Sequence, residues 1–167
     1  MSTVLEAELL VHLDTQINSA RQLLKLVLAQ GAAIRERDTD AVLARLADIQ
    51  AEMVRRGALE QERTALLQRA GLALGVPATA VTLERLCKLV TPGAAAAAME
   101  RSAELRGLLA EIAREHGINR ALMRQELTFL SHLTRLIGQE PEPGYRPPSA
   151  GRPASAPPVY RALDLQA

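Results

Sequence analysis

Three histidines, His12, His116 and His132, and a single thiol, Cys87, are the residues of this chain whose types suit metal binding or nucleophilic chemistry. A zinc hydrolase needs two histidines one helical turn apart with a glutamate between them. A di-iron bundle needs a glutamate three residues before a histidine on each of two helices. No histidine here has either neighbour, so both metal readings lack ligands. Cys87 alone closes no disulfide and no cysteine-based metal site, and its apolar flanks, Leu86 and Leu89, mark it as a small buried hydrophobe. Carboxylates are plentiful but dispersed: Glu60 and Glu62 alternate with Arg63, as on a solvated helix face rather than in an acid–base pair. Neither kind of glycine-rich phosphate loop is present. The sequence therefore carries no enzyme signature, implies no cofactor and directs attention to binding.

Composition says what kind of scaffold would do that binding. The 167 residues contain no Trp, one Phe (Phe129) and two Tyr, so a core must be filled by aliphatic side chains. Ala, Leu, Arg, Glu and Gln dominate, all strong helix formers. The expectation is an all-α protein, an elongated antiparallel helical hairpin or bundle of three to four helices ending in a disordered tail. Charge is nearly balanced at +1, with Lys only at positions 25 and 88. An arginine-rich chain invites a nucleic-acid reading, but the arginines alternate with acids, as in Arg35-Glu36-Arg37-Asp38, and form no basic stripe. No apolar run reaches the ~18 residues of a membrane span. The acidic start, with Glu6 and Glu8, is unlike a signal peptide. The expectation is a cytoplasmic protein with no stable membrane insertion and no nucleic-acid partner.

Periodicity places the elements. Thr3 and Glu6 fit a capping box, which predicts a helix from about Val4. Leu9, Leu13, Ile17, Ala20, Leu24, Val27, Gly31 and Ile34 then recur in heptad spacing, a seam of one apolar stripe. Asp38-Thr39-Asp40 predicts a reversal and a fresh N-cap. A second helix starts with Val42, Leu46, Ile49 and Met53 in register, carries a charged middle that reads as solvent-facing, and stops at Gly75 and Pro77. Thr82 predicts a short helix over Leu83–Val90. Thr91-Pro92 opens the last and longest helix, from Pro92 to Ile137. Its seam reads Leu105, Leu109, Ile112, His116, Asn119, Met123, Glu126, Leu130, Leu133 and Ile137. Asn119 reads as a register-setting polar residue and His116 as a packing residue. Leu122 and Leu127 widen the stripe, so the stretch from Leu127 to Ile137 is apolar on more than one side and needs cover.

Two domains are expected: a helical bundle over residues 1–137 and a Pro/Gly-rich tail over 138–167. Seven of the nine prolines fall between Pro141 and Pro158, a composition that cannot build a core. Val159-Tyr160-Arg161-Ala162-Leu163-Asp164-Leu165 closes the chain as a short amphipathic segment of the kind that binds partners.

The order of these features resembles the FlgN family of flagellar export chaperones. The residues that carry the resemblance are Leu23-Leu24-Lys25-Leu26, Asp38-Thr39-Asp40-Ala41-Val42-Leu43, Leu72-Ala73-Leu74-Gly75-Val76, and Asn119-Arg120-Ala121-Leu122-Met123 with Leu127. Tyr145, Tyr160 and Leu163-Asp164 follow in the tail. Gln30 and Gln50 depart from a glutamate and a lysine common in the family. The resemblance implies binding of the C-terminal helices of hook-associated proteins of FlgK and FlgL type. It also implies prevention of their premature assembly and delivery to the flagellar export gate and ATPase complex. It places client binding on Leu122, Leu127, Phe129, Leu130, Leu133 and Ile137, and gate contact on Tyr145, with Tyr160 and Leu163 as a tail motif. A structural coiled-coil adaptor without a chaperone role, pairing with itself as a homodimer, is the alternative the periodicity alone allows.

Overall fold

The computed structural model describes residues 2–138, and the regular structure among them is helical throughout. Helix α1 spans Ser2–Glu36, α2 Thr39–Leu74, α3 Leu83–Cys87 and α4 Pro92–Ile137, with a 3₁₀ turn at Ala78–Ala80 between α2 and α3. Each boundary has a local cause. At the first reversal Arg37 takes a left-handed φ of 58° and Asp38 caps α2, its carboxylate accepting the Ala41 N–H at 3.0 Å. Helix α2 ends where Gly75 adopts φ 67°, a conformation open to glycine at little cost, and Val76 N–H returns to the Gly71 carbonyl at 3.0 Å. Thr82 caps α3 through the Arg85 N–H. That helix is shorter than expected, because Lys88 and Leu89 N–H groups turn to carbonyls only three residues back. Thr91 caps α4, with Pro92 in its first turn.

The beginning of α1 departs from the capping-box reading. The helix is already running at Ser2, so Glu6 lies inside it. Its carboxylate instead accepts the Thr91 N–H and hydroxyl, both at 3.1 Å, and so ties α1 to the start of α4.

Helix α1 is the central element, packed against α2 on one side and α4 on the other. The partners reveal the directions. Glu8 pairs with Arg69 and Ser19 with Glu52, so α2 runs antiparallel to α1. Asp14 pairs with Arg101, Val27 with Asn119 and Arg37 with Glu126, so α4 runs parallel to it. A helix covered from two sides needs two buried faces. The predicted seam of α1 is indeed buried or half-buried, but Leu23, Leu26 and Ala33 are buried as well, beyond the single stripe the spacing implied.

The α1–α2 contact corrects a second expectation. Leu46 and Met53, read as seam residues, are exposed, while Glu52 is buried and Arg56 half-buried toward α1. The Glu52 carboxylate accepts the Ser19 hydroxyl at 2.7 Å and pairs with Arg55 at 2.9 Å. The Arg56 guanidinium donates to Gln16 and Ser19. Glu52 and Arg56 thus form a hydrogen-bonded polar layer against α1, which the chain tolerates because each buried group has a partner. The rest of the charged middle, Arg55 and Glu60 to Arg63, faces solvent as its spacing implied. Apolar packing concentrates at the end where the chain crosses from α2 to α4, around Leu9, Leu66, Ala70, Leu86 and Ala98. Ala70 and Ala98 are small enough there for the helices to approach closely.

Candidate functional site

The register between α1 and α4 decides which part of α4 remains bare. Asn119 is 1% exposed; its amide donates to the Val27 carbonyl at 2.8 Å and lies 3.5 Å from the Gln30 side-chain oxygen. Gly31 faces it so closely that a Cβ at that position would lie 2.6 Å from the Asn119 Oδ1. The two helices can approach there only because residue 31 has no side chain. With this contact fixed, the end of α1 and the reversal at 37–38 stand level with Glu126, which Arg37 reaches at 3.6 Å. Helix α4 continues to Ile137. Its last eleven residues, about 16 Å at 1.5 Å per residue, project past the hairpin.

The face of α4 that meets α1 is turned from the expected one. Leu105, Ile112, Asn119 and Glu126 do point toward the bundle, but the second column is Leu108, Glu115 and Leu122, and Leu109 and His116 are exposed. Each column has apolar residues at heptad spacing interrupted by one polar residue, Glu115 or His116, and only contact with α1 selects between them. His116 is therefore a surface residue and not a packing one.

Beyond Glu126 the same stripe continues without cover. Leu127, Phe129, Leu130 and Ile137 are exposed, Leu130 at 55% and Ile137 at 72%, while Leu122 and Leu133 are half-buried. Where the projecting end leaves the bundle, an apolar cleft of about 420 Å³ lies between Ile34, Val42, Met123, Leu127, Phe129 and Leu130. The residues singled out from sequence thus fall on one helix end, and the cleft brings Leu127, Phe129 and Leu130 together. Leu136, exposed seven residues after Phe129, belongs to the same surface, and the heptad interval between the two is its signal in the sequence. Ile34 and Val42 were read as seam residues only, because nothing local shows that a turn will set them beside α4. Tyr145, Tyr160 and Leu163 lie outside the described residues.

The groups suited to chemistry are scattered. His12 is buried in the polar layer, within 3.4 Å of Gln16 and 3.8 Å of the Glu62 carboxylate. Burial pushes its imidazole below the ordinary value of 6.5 and outweighs the opposing pull of Glu62 and Glu60, both exposed to solvent. The Cys87 thiol is half-buried, less enclosed than expected, and its sulfur lies 3.8 Å from the Ala95 carbonyl. Glu60 and Arg63 form an exposed ion pair at 2.8 Å, as read from their spacing. Among the described residues no three His, Cys, Asp or Glu side chains converge as metal ligands, and no helix is long and apolar enough to cross a membrane.

What this geometry can do is present a bare helix end to another chain. Comparison with known proteins bears on which kind of chain that is. Searches against characterised proteins and against solved structures return no match. The family model described as FlgN protein matches residues 1–150, which takes in all four helices and the register contact at Asn119. With nine-tenths of its length under that one match, the chain belongs to the FlgN family of flagellar export chaperones.

Proposed function

We propose that this protein binds the amphipathic C-terminal helices of hook-associated proteins of FlgK and FlgL type in the cytoplasm. It thereby keeps them from assembling early and hands them to the flagellar export gate and ATPase complex. The observation that carries this reading is the bare end of α4. A stripe that α1 covers along most of its length continues, uncovered and apolar, past the point where α1 stops. A client helix laid on Leu127, Phe129, Leu130, Leu133 and Ile137 continues the packing that α1 begins, with Leu122 at the junction.

The energetics suit a carrier that must let go. Five large apolar side chains on this end are exposed, Leu127, Phe129, Leu130, Leu136 and Ile137. Covering each contributes about 1.5–3 kcal/mol, a gross term on the order of 10 kcal/mol. Ordering a disordered client segment offsets about 2–5 kcal/mol of that, and lost rigid-body freedom offsets more. The net affinity is moderate and reversible. The tail after Gly138 is proposed to add to client binding, with Tyr145 meeting the export gate and Tyr160 and Leu163 forming a tail motif. Replacing Leu130 and Leu133 together by Asp, in Leu130→Asp/Leu133→Asp, is expected to abolish capture of junction-protein C-terminal segments in a pull-down while helicity is kept. Unchanged capture by the double variant would remove the end of α4 as the site.

A further inference from the structure

The last third of α4 carries its charge in an uneven way. Elsewhere among the described residues eight arginines hold carboxylates, among them Arg21, Arg37, Arg69 and Arg101, and four do not, Arg35, Arg56, Arg85 and Arg106, which are scattered one to each helix. Arg120, Arg124 and Arg135 are exposed and hold none among the described residues, where Arg124 reaches the Arg120 carbonyl at 3.4 Å. After Glu126, which Arg37 occupies, no acid follows within α4.

Helical geometry aligns these three. At about 100° per residue, Arg120, Arg124, Ser131 and Arg135 fall within a strip about 60° wide, next to Leu127 on the border of the apolar arc. The arc itself runs for about 180°, from Leu127 through Leu130 to Leu136. Its opposite border holds Gln125 and His132, with neither Arg nor Lys. Thr128 and Ser131 turn their hydroxyls back to carbonyls of their own helix and so do not neutralise the strip. Like charges one turn apart, as at Arg120 and Arg124, weaken a helix slightly unless something compensates them.

We propose that the client helix taken up by the end of α4 carries a line of carboxylates along one border of its own apolar stripe. Arg120, Arg124 and Arg135 select the client by that line. This rests on the reading of the α4 end as the client site and adds the chemistry that chooses among apolar helices. The matching carboxylates lie one helical turn and a further three turns apart, the spacing of the arginines. They orient the client, because an inverted helix places its acids on the Gln125 and His132 border. A basic amphipathic helix also suits an anionic membrane surface. Here the cations line one border only, and the apolar arc continues a stripe already shaped to receive a helix. Those two features favour a helical partner over a lipid one.

The test is titration calorimetry of the full chain and of Arg120→Glu/Arg124→Glu/Arg135→Glu against the C-terminal helical segment of a junction protein, at low and high salt. Vesicles of phosphatidylserine and phosphatidylcholine form a parallel arm. Reversal is expected to weaken binding about tenfold at low salt, with the difference fading as salt rises. Lysines in place of the client's border carboxylates should restore it. The corresponding Gln variants repeat the comparison should reversal lower helicity. If reversal changes neither affinity nor salt dependence while Leu130→Asp/Leu133→Asp abolishes binding, the client site stands and the charged border is refuted. If neither variant alters binding, the site reading fails and this inference with it. If the wild-type chain binds the vesicles and reversal removes only that binding, the strip serves a lipid surface and the proposal is overturned.

Discussion

Replacing Gly31 by Ala should destabilise this protein, although the same change in an open helix stabilises it. In the middle of α1 the substitution gains about 1 kcal/mol of helix propensity. Against that, the new Cβ would lie 2.6 Å from the Asn119 Oδ1 and 3.4 Å from its Cγ. Relieving an overpacked contact of this kind costs about 1–3 kcal/mol, so the net loss is about 1 kcal/mol. Asn119→Ala alone strips the Val27 carbonyl and Gln30 of the amide that reaches them at 2.8 and 3.5 Å. That costs about 1–3 kcal/mol. In Gly31→Ala/Asn119→Ala the Cβ at position 31 occupies space that the amide vacated, and the clash disappears. The double variant is therefore expected to be no less stable than Asn119→Ala, with a coupling of about 1–2 kcal/mol in a double-mutant cycle. Urea unfolding followed by far-UV circular dichroism measures all four proteins. Should Gly31→Ala prove stabilising by the full propensity gain, or the two changes add within about 0.5 kcal/mol, the close approach of α1 and α4 at this point is refuted.

Three further outcomes follow from the same structure. His12 has a folded-state value pushed below 6.5, so the unfolded chain takes up its proton first. Its contribution is complete above 6.5 and is lost as pH falls through the lowered folded value, and His12→Leu should flatten that part of a stability–pH profile. A profile that is flat for the wild-type chain between 6.5 and the onset of carboxylate titration near ~4 would contradict it. Leu130→Asp/Leu133→Asp lies on the part of α4 that projects past the hairpin, so its unfolding free energy should stay within about 0.5 kcal/mol of the parent; a large loss in thermal unfolding would mean that this end packs onto the bundle. Truncation after Gly138 should leave helicity intact and weaken junction-protein binding, and equal affinity for both lengths in calorimetry would exclude the tail from client binding.

The architecture also accounts for a division of labour among the helices. Helix α2 and the crossover segment enclose α1 at the end where apolar packing is densest. Exposed ion pairs such as Asp14–Arg101 and Glu8–Arg69 contribute little stability each. The register of α1 against α4 rests on the close Gly31–Asn119 contact. Register matters here because it sets how much of α4 projects. A slip of one heptad between α1 and α4 would cover or expose about 10 Å of the bare end of α4.

How much of this was legible from residues alone depends on whether the cause was local. Asp38, Gly75, Thr82 and Thr91 act on backbone groups a few residues away, so the end of α1, both ends of α2 and the starts of α3 and α4 could be read from sequence. The apolar composition of Leu127, Phe129, Leu130 and Ile137 marked the end of α4 for the same reason. What the sequence left open involved contacts between helices. Leu109 and Leu108 are equally apolar, and only the packing of the helices leaves Leu108 half-buried, Leu109 at the open edge of a cleft between α1, α2 and α4, and His116 exposed. Arg56 reads as part of a solvent-facing stretch, and nothing local marks Glu52 for burial, until Ser19 and Gln16 are set against them from another helix. Ile34 and Val42 join the cleft because the reversal between them stands level with Glu126. The end of α4 was recognisably apolar from its residues; that it is bare was decided by tertiary structure, because the Gly31–Asn119 contact fixes where α1 stops along it.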